Sequence, residues 1–158
     1  MNEENQSKAK LKSIVRWLYR EIRKEEQRRV LYNCTLLMEQ YRELKAHVER
    51  AVSEISEIEK PSFYESGTSL KSVRQSKCET LMLLYNIDRA IDELREETKA
   101  NGTAYKFDAF YLHYVEGYTY ERVCEKLNCG KNSPAKWCKD MTRIMAVKLF
   151  GLNGIEFR

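Results

Sequence analysis

The apolar residues between Val30 and Ile58 constrain this chain more than any other feature. Val30, Cys34, Leu37, Tyr41, Leu44, Val48, Ala51, Ile55 and Ile58 follow one another in alternating steps of four and three. A repeat of 3.5 residues held for about four heptads is the seam of a long helix that packs against other helices. The spacing predicts a continuous helix over about 28–59, roughly 45–50 Å long at about 1.5 Å per residue and closed by Pro61. Cys34 and Tyr41 suit the core of a dimer zipper poorly, so the expectation is an intrachain bundle that also forms a homodimer.

The flanking segments follow the same logic. Leu11, Ile14, Val15, Leu18 and Ile22 give a helix over 8–24, with Lys8, Lys12, Arg16, Arg20 and Arg23 on its other, solvated face. Residues 61–77 hold Pro61, Gly67 and five Ser and read as a linker. Leu81, Leu84, Ile87, Ile91 and Leu94 form the stripe of a connecting helix over 78–102, stopped by Asn101-Gly102. No segment alternates with a period of two. The fold class expected is all-α, with long N-terminal helices in a bundle or coiled coil over 1–60 and a separate C-terminal unit over 103–158.

That last unit changes in character. Three short apolar-periodic segments follow closely: Phe107, Phe110, Tyr111, Tyr114 and Val115; then Tyr120, Val123, Cys124 and Leu127; then Trp137, Met141, Ile144, Met145 and Leu149. Gly117 separates the first two, and Asn128-Cys129-Gly130 separates the second from the third. Three short helices joined by Gly-containing turns make a helix-turn-helix pattern. Thr119 stands where it caps the middle helix, and Glu121 in its first turn suits the positive end of the helix dipole. Gly130 is expected to occupy or border a turn that a branched side chain would strain. The aromatic cluster reads as core, and Trp137 as core or surface anchor.

Charge sharpens the reading. The net formal charge is +4, distributed as +2 over 1–60, −1 over 61–102 and +3 over 103–158. Within 130–149, Lys131, Lys136, Lys139, Arg143 and Lys148 face a single acid, Asp140. A basic helix after a tight turn points to the phosphates of nucleic acid.

Other classes find little support. The composition, with 6 Gly, 2 Pro and 33% charged residues, excludes collagen-like and low-complexity chains. No apolar run approaches the roughly 18 residues of a membrane span, and the polar start MNEENQSKAKLK lacks a signal-peptide core. A soluble chain in the cytoplasm is expected. Five cysteines, an odd number, argue against a disulfide framework. Cys124, Cys129 and Cys138 lack a fourth ligand for zinc, so no metal site is expected. Neither a phosphate-binding loop nor a nucleophile–base motif occurs, and His113 sits inside an aromatic run, so neither an enzyme nor a cofactor site is expected.

The stretch from Tyr114 to Trp137 resembles the helix-turn-helix of sigma-factor region four. Gly117, Thr119, Glu121, Val123, Cys124, Leu127 and Trp137 match that pattern in kind and spacing. Gly130 and Pro134 depart from it, where a capping Ser and an apolar residue are usual. The last helix therefore starts either near Lys131, with Pro134 in its first turn, or after a Ser133 cap with Pro134 at its first position. The wider layout, over about 78–152, resembles phage transcriptional regulators of the ArpU and RinA-like groups. The resemblance implies a sequence-specific regulator of phage or mobile-element genes, an activator acting on double-stranded DNA in a bacterial host cell. Carried onto this chain, it makes Lys131, Asn132, Ser133, Ala135 and Lys136 groove-facing candidates. Lys139, Arg143, Tyr118, Thr119 and Tyr120 become phosphate candidates. The rival readings are a small-terminase-like packaging protein and a helical interaction module that docks on RNA polymerase.

Overall fold

The computed structural model describes residues 2–58 and 69–151. Among these the chain is all-α. The helices are α1 (Asn2–Glu39), α2 (Tyr41–Ile58), α3 (Ser69–Ala100), α4 (Ala104–Phe110), α5 (Tyr120–Leu127) and α6 (Ser133–Phe150). A π-helical turn, Tyr111–Val115, continues α4. None of the described helices is long and apolar enough to cross a membrane.

The seam from Val30 onward is used within the chain. Cys34, Met38, Tyr41 and Val48 are buried, with Val30, Leu37 and Leu44 packed against them. The side chains of Ala51, Ile55 and Ile58, and the closing Pro61, lie outside the described residues. The seam does not run on one unbroken helix from 28 to 59, however. α1 continues straight through residues 25–29, where Glu25, Glu26, Gln27, Arg28 and Arg29 are all good helix formers and nothing stops it. The helix lapses instead at Gln40. The amide of Gln40 still donates to Leu36 O (3.0 Å) and its carbonyl still accepts from the Leu44 amide (2.9 Å), so the lapse is a single residue wide. It serves two docking partners: the end of α1 lies on α6, and α2 lies on α3 and the π-helical turn.

α6 is the pillar around which the rest packs. α4, α1, α3 and α5 all lie against it. One apolar core runs from Cys34 and Met38 through Ile87, Leu94 and Phe110 to Met145. The expected separation between N-terminal helices and a C-terminal unit is therefore absent from the core: α1 and α3 are part of what holds α6. The buried Cys34 thiol donates to Thr142 O (3.6 Å). The Tyr41 hydroxyl donates to Asp88 Oδ1 (2.6 Å), pinning the start of α2 to α3.

α3 also begins earlier than expected. Residues 69–77, read from sequence as linker, are helical. They contain Ser but neither Gly nor Pro, and only the latter two break a helix outright. The rest of that linker, residues 61–68, lies outside the described residues, as does 152–158 of the C-terminal unit. The stop at Asn101-Gly102 is as expected. Gly102 takes φ +68, and the amides of Gly102 and Thr103 return to Lys99 O (3.2 Å) and Thr98 O (2.8 Å).

Candidate nucleic-acid interface

The surface around the start of α6 is built from the chain inward. After α4 the helix widens to π geometry, with the Glu116 amide reaching back five residues to Tyr111 O (3.1 Å). The chain then turns at Gly117, whose φ of +79 is a left-handed conformation that L side chains rarely take. The Arg42 guanidinium of α2 lies over this glycine, in the space a Cβ would need. His113 fixes the turn from the other side: its Nδ1–H donates to Tyr118 O (2.8 Å), and its ring stacks on Tyr120 (4.1 Å, 20°).

α5 starts as its sequence dictates. Thr119 has extended backbone and its hydroxyl oxygen accepts from the Arg122 amide (3.4 Å). Hydrogen bonds from its own amide and from Thr119, with the Lys131 charge nearby, hold the Glu121 carboxyl below its ordinary range. Val123 is the buried residue by which α5 seats itself.

The turn into α6 departs from expectation. Its left-handed residue is Asn128 (φ 47, ψ 53), not Gly130. Gly130 borders that turn, as expected; it takes no positive φ, and a Cβ there would meet Ser133 Oγ at 3.4 Å, an ordinary contact. Asn tolerates the left-handed region because its short polar side chain bonds locally. The Cys124 thiol closes the turn from within, reaching Gly130 O and Lys131 O at 3.6 Å each. α6 itself begins at Ser133, with Asn132 at the cap position but without a side-chain cap bond and with Pro134 in the first turn. This lies one residue from the second of the two starts that the sequence left open.

This geometry sorts the candidate residues. Lys131, Asn132, Ala135, Lys136 and Lys139 are exposed, and from Asn132 they follow helical spacing along one face. The opposite face, with Pro134, Cys138, Met141, Thr142 and Met145, is buried. Ser133 is half-buried at the turn, and Thr119, the cap of α5, is exposed. Tyr118 lies under the Lys126 ammonium, 4.3 Å from its ring centroid. Tyr120 is turned inward, against the phosphate role given to it. Burial first, with Tyr114 as its neighbour and hydrogen-bond partner, pushes its hydroxyl above the ordinary range.

The basic residues of α6 and of the turn before it fall into three groups. Lys131, Lys136 and Lys139 face outward. Arg143 is half-buried with its Nη1 3.9 Å from Asp140, and Asp140 also holds Lys106 of α4 (3.1 Å). Lys148 belongs to another surface: it pairs with Glu97 (2.8 Å) and Glu93 (3.8 Å) of α3 and ties α6 to the core. Trp137 is half-buried edge-on to Tyr105 (4.9 Å), so it braces α6 on α4.

Three contributors were not legible as site residues in the sequence. Asn128 carried a signal, since Asn just after the last apolar helix position is a known left-handed stop. His113 stands in the sequence only inside an aromatic run, and its bond to the turn is made from within the π-helical segment. Arg42 lies 75 positions from Gly117, and local pattern cannot foresee such a contact. All five cysteines are free thiols, and no group of three or more metal-ligating side chains occurs among the described residues. Comparison with protein-family models, with curated proteins and with solved structures finds no match.

Proposed function

We propose that this chain is a sequence-specific double-stranded DNA-binding regulator of transcription, working as a homodimer in the bacterial cytoplasm as an activator for a phage or mobile element. One observation supports the reading most. α6 is buried along one face and held by four other helices, yet its first two turns present Ala135, Lys136 and Lys139 to solvent on the other, with Lys131 and Asn132 exposed in the turn just before it. A rigidly held helix whose exposed N-terminal face mixes Lys with Asn and a small residue fits a major groove. Asn is able to bond both N6 and N7 of adenine, Lys reaches guanine O6 or N7, and Ala leaves room for a thymine methyl. Lys139, further along, lies nearer the phosphates.

The test is selection of bound sequences from a random duplex pool. Enrichment of a short motif that Asn132→Ala abolishes or relaxes supports the reading. A pool that returns unenriched, or a motif indifferent to Asn132→Ala and Lys136→Ala, overturns it.

A further inference from the structure

α1 carries a second apolar seam that the fold leaves unused. Residues 12–20 are exposed on every side of the helix. Val15, Leu18, Ile22, Glu25, Arg29, Tyr32 and Leu36 follow one another in steps of three and four, again the 3.5-residue repeat. All seven are exposed; the five apolar ones range from 43% to 66%. This line runs about 30 Å at roughly 1.5 Å per residue. It lies across the helix from the seam of Val30, Cys34 and Leu37, which packs into the chain's own core. A soluble helix with apolar residues at regular spacing on two opposite faces has two packing partners, and the chain supplies one.

The two charged positions identify the other. Glu25 and Arg29 interrupt the seam one step apart and with opposite sign. In a parallel, in-register pair of α1 helices, Glu25 would face Glu25 and Arg29 would face Arg29. In an antiparallel pair whose two-fold axis passes beside residue 27, Glu25 faces Arg29 of the partner subunit and the reverse holds across the axis. The same register sets Ile22 against Tyr32 and Leu18 against Leu36 in both halves. Every layer from 18 to 36 is then complementary, as an isologous interface requires. We infer that a second copy of this chain covers this seam, its α1 antiparallel and in the register that pairs Glu25 with Arg29. Charges opposed inside an apolar seam fix orientation and register, because any slip leaves them facing apolar groups or like charge. The other face of α1 stays on α6, so pairing leaves each chain's core intact. This inference rests on the homodimer of the proposed function and makes no use of the DNA reading.

Sedimentation equilibrium over the micromolar range tests it. The unaltered chain is expected at twice 18.8 kDa. Glu25→Arg and Arg29→Glu should each weaken the dimer roughly tenfold or more, because like charges then meet at both central layers. The double swap Glu25→Arg/Arg29→Glu should restore it. Both residues are exposed in the single chain, so helical content and cooperative melting should persist in every variant. Leu18→Asp, at a site 46% exposed, should dissociate the dimer without unfolding it. A monomer at high micromolar concentration overturns the inference. So does a dimer that either single swap leaves intact, or a double swap that stays dissociated. Failure to bind DNA with these mass results unchanged would sink the proposed function and leave this interface standing.

Discussion

The turn between α5 and α6 gives the sharpest stability prediction, because sequence and structure disagree about which residue bears the strain. Asn128 sits at φ 47, ψ 53, and Gly130 does not take a positive φ. For an L-residue with a Cβ, the left-handed region costs about 1–2 kcal/mol. Asn offsets part of that through its short polar side chain, and Ala cannot. Asn128→Ala should therefore lose about 1 kcal/mol, whereas Asn128→Gly should be neutral or slightly stabilising. At Gly130 an added methyl meets Ser133 Oγ at 3.4 Å, with no backbone penalty. Gly130→Ala should stay within about 0.5 kcal/mol. For a chain of this size 1 kcal/mol is worth about 2–4 °C in Tm. Thermal melting followed by circular dichroism should then rank the variants with Asn128→Ala lowest and Asn128→Gly and Gly130→Ala near the parent. If Gly130→Ala falls further than Asn128→Ala, the placement of the turn is wrong.

Other expectations follow from the same geometry. Lys148→Met should cost about 1 kcal/mol through its lost pairs with Glu97 and Glu93, while duplex affinity stays unchanged; a parallel loss of DNA binding would return Lys148 to the interface. Burial pushes the Cys34 and Cys138 thiols from 9.0 up to about 12, and raises the Tyr41, Tyr114 and Tyr120 hydroxyls as well. Folding favours the neutral form of each, so that stability is complete below about pH 9 and is lost as pH climbs through the folded values. Tm should hold level up to about pH 9 and fall beyond it, and a Tm that rises between pH 9 and 11 would contradict these burials. A thiol reagent near neutral pH should label exposed Cys78 first, Cys124 and Cys129 more slowly, and Cys34 and Cys138 only on unfolding; rapid labelling of all five in the folded chain would contradict the core.

The fold was legible where periodicity and stop residues carry it. Of the stripe Leu81, Leu84, Ile87, Ile91 and Leu94 all but the exposed Leu81 are buried, and the stop at Gly102 and the Thr119 cap stand where local chemistry puts them. Boundaries failed where no local residue decides. The lapse at Gln40 follows from two docking partners on different elements, and the helical start of α3 follows from an absence of Gly and Pro that a run of Ser obscured. On α6, charge alone grouped Lys148 with Lys136 and Lys139. Only the packing of α6 on α3 separates the lysine that holds the core from those that face out. Likewise the resemblance made Tyr120 a phosphate candidate beside the Thr119 cap, whereas its ring stacks on His113.

In the proposed function the exposed start of α6 meets the phosphates and bases of duplex DNA. The most direct measurement is duplex affinity at several salt concentrations for the parent chain and for Lys139→Ala. The parent should lose affinity linearly in log–log form as counterions are released. Lys139→Ala should weaken specific and random duplexes alike and reduce the slope by roughly one phosphate's worth. No duplex binding, or binding with a slope that Lys139→Ala leaves unchanged, would contradict the account.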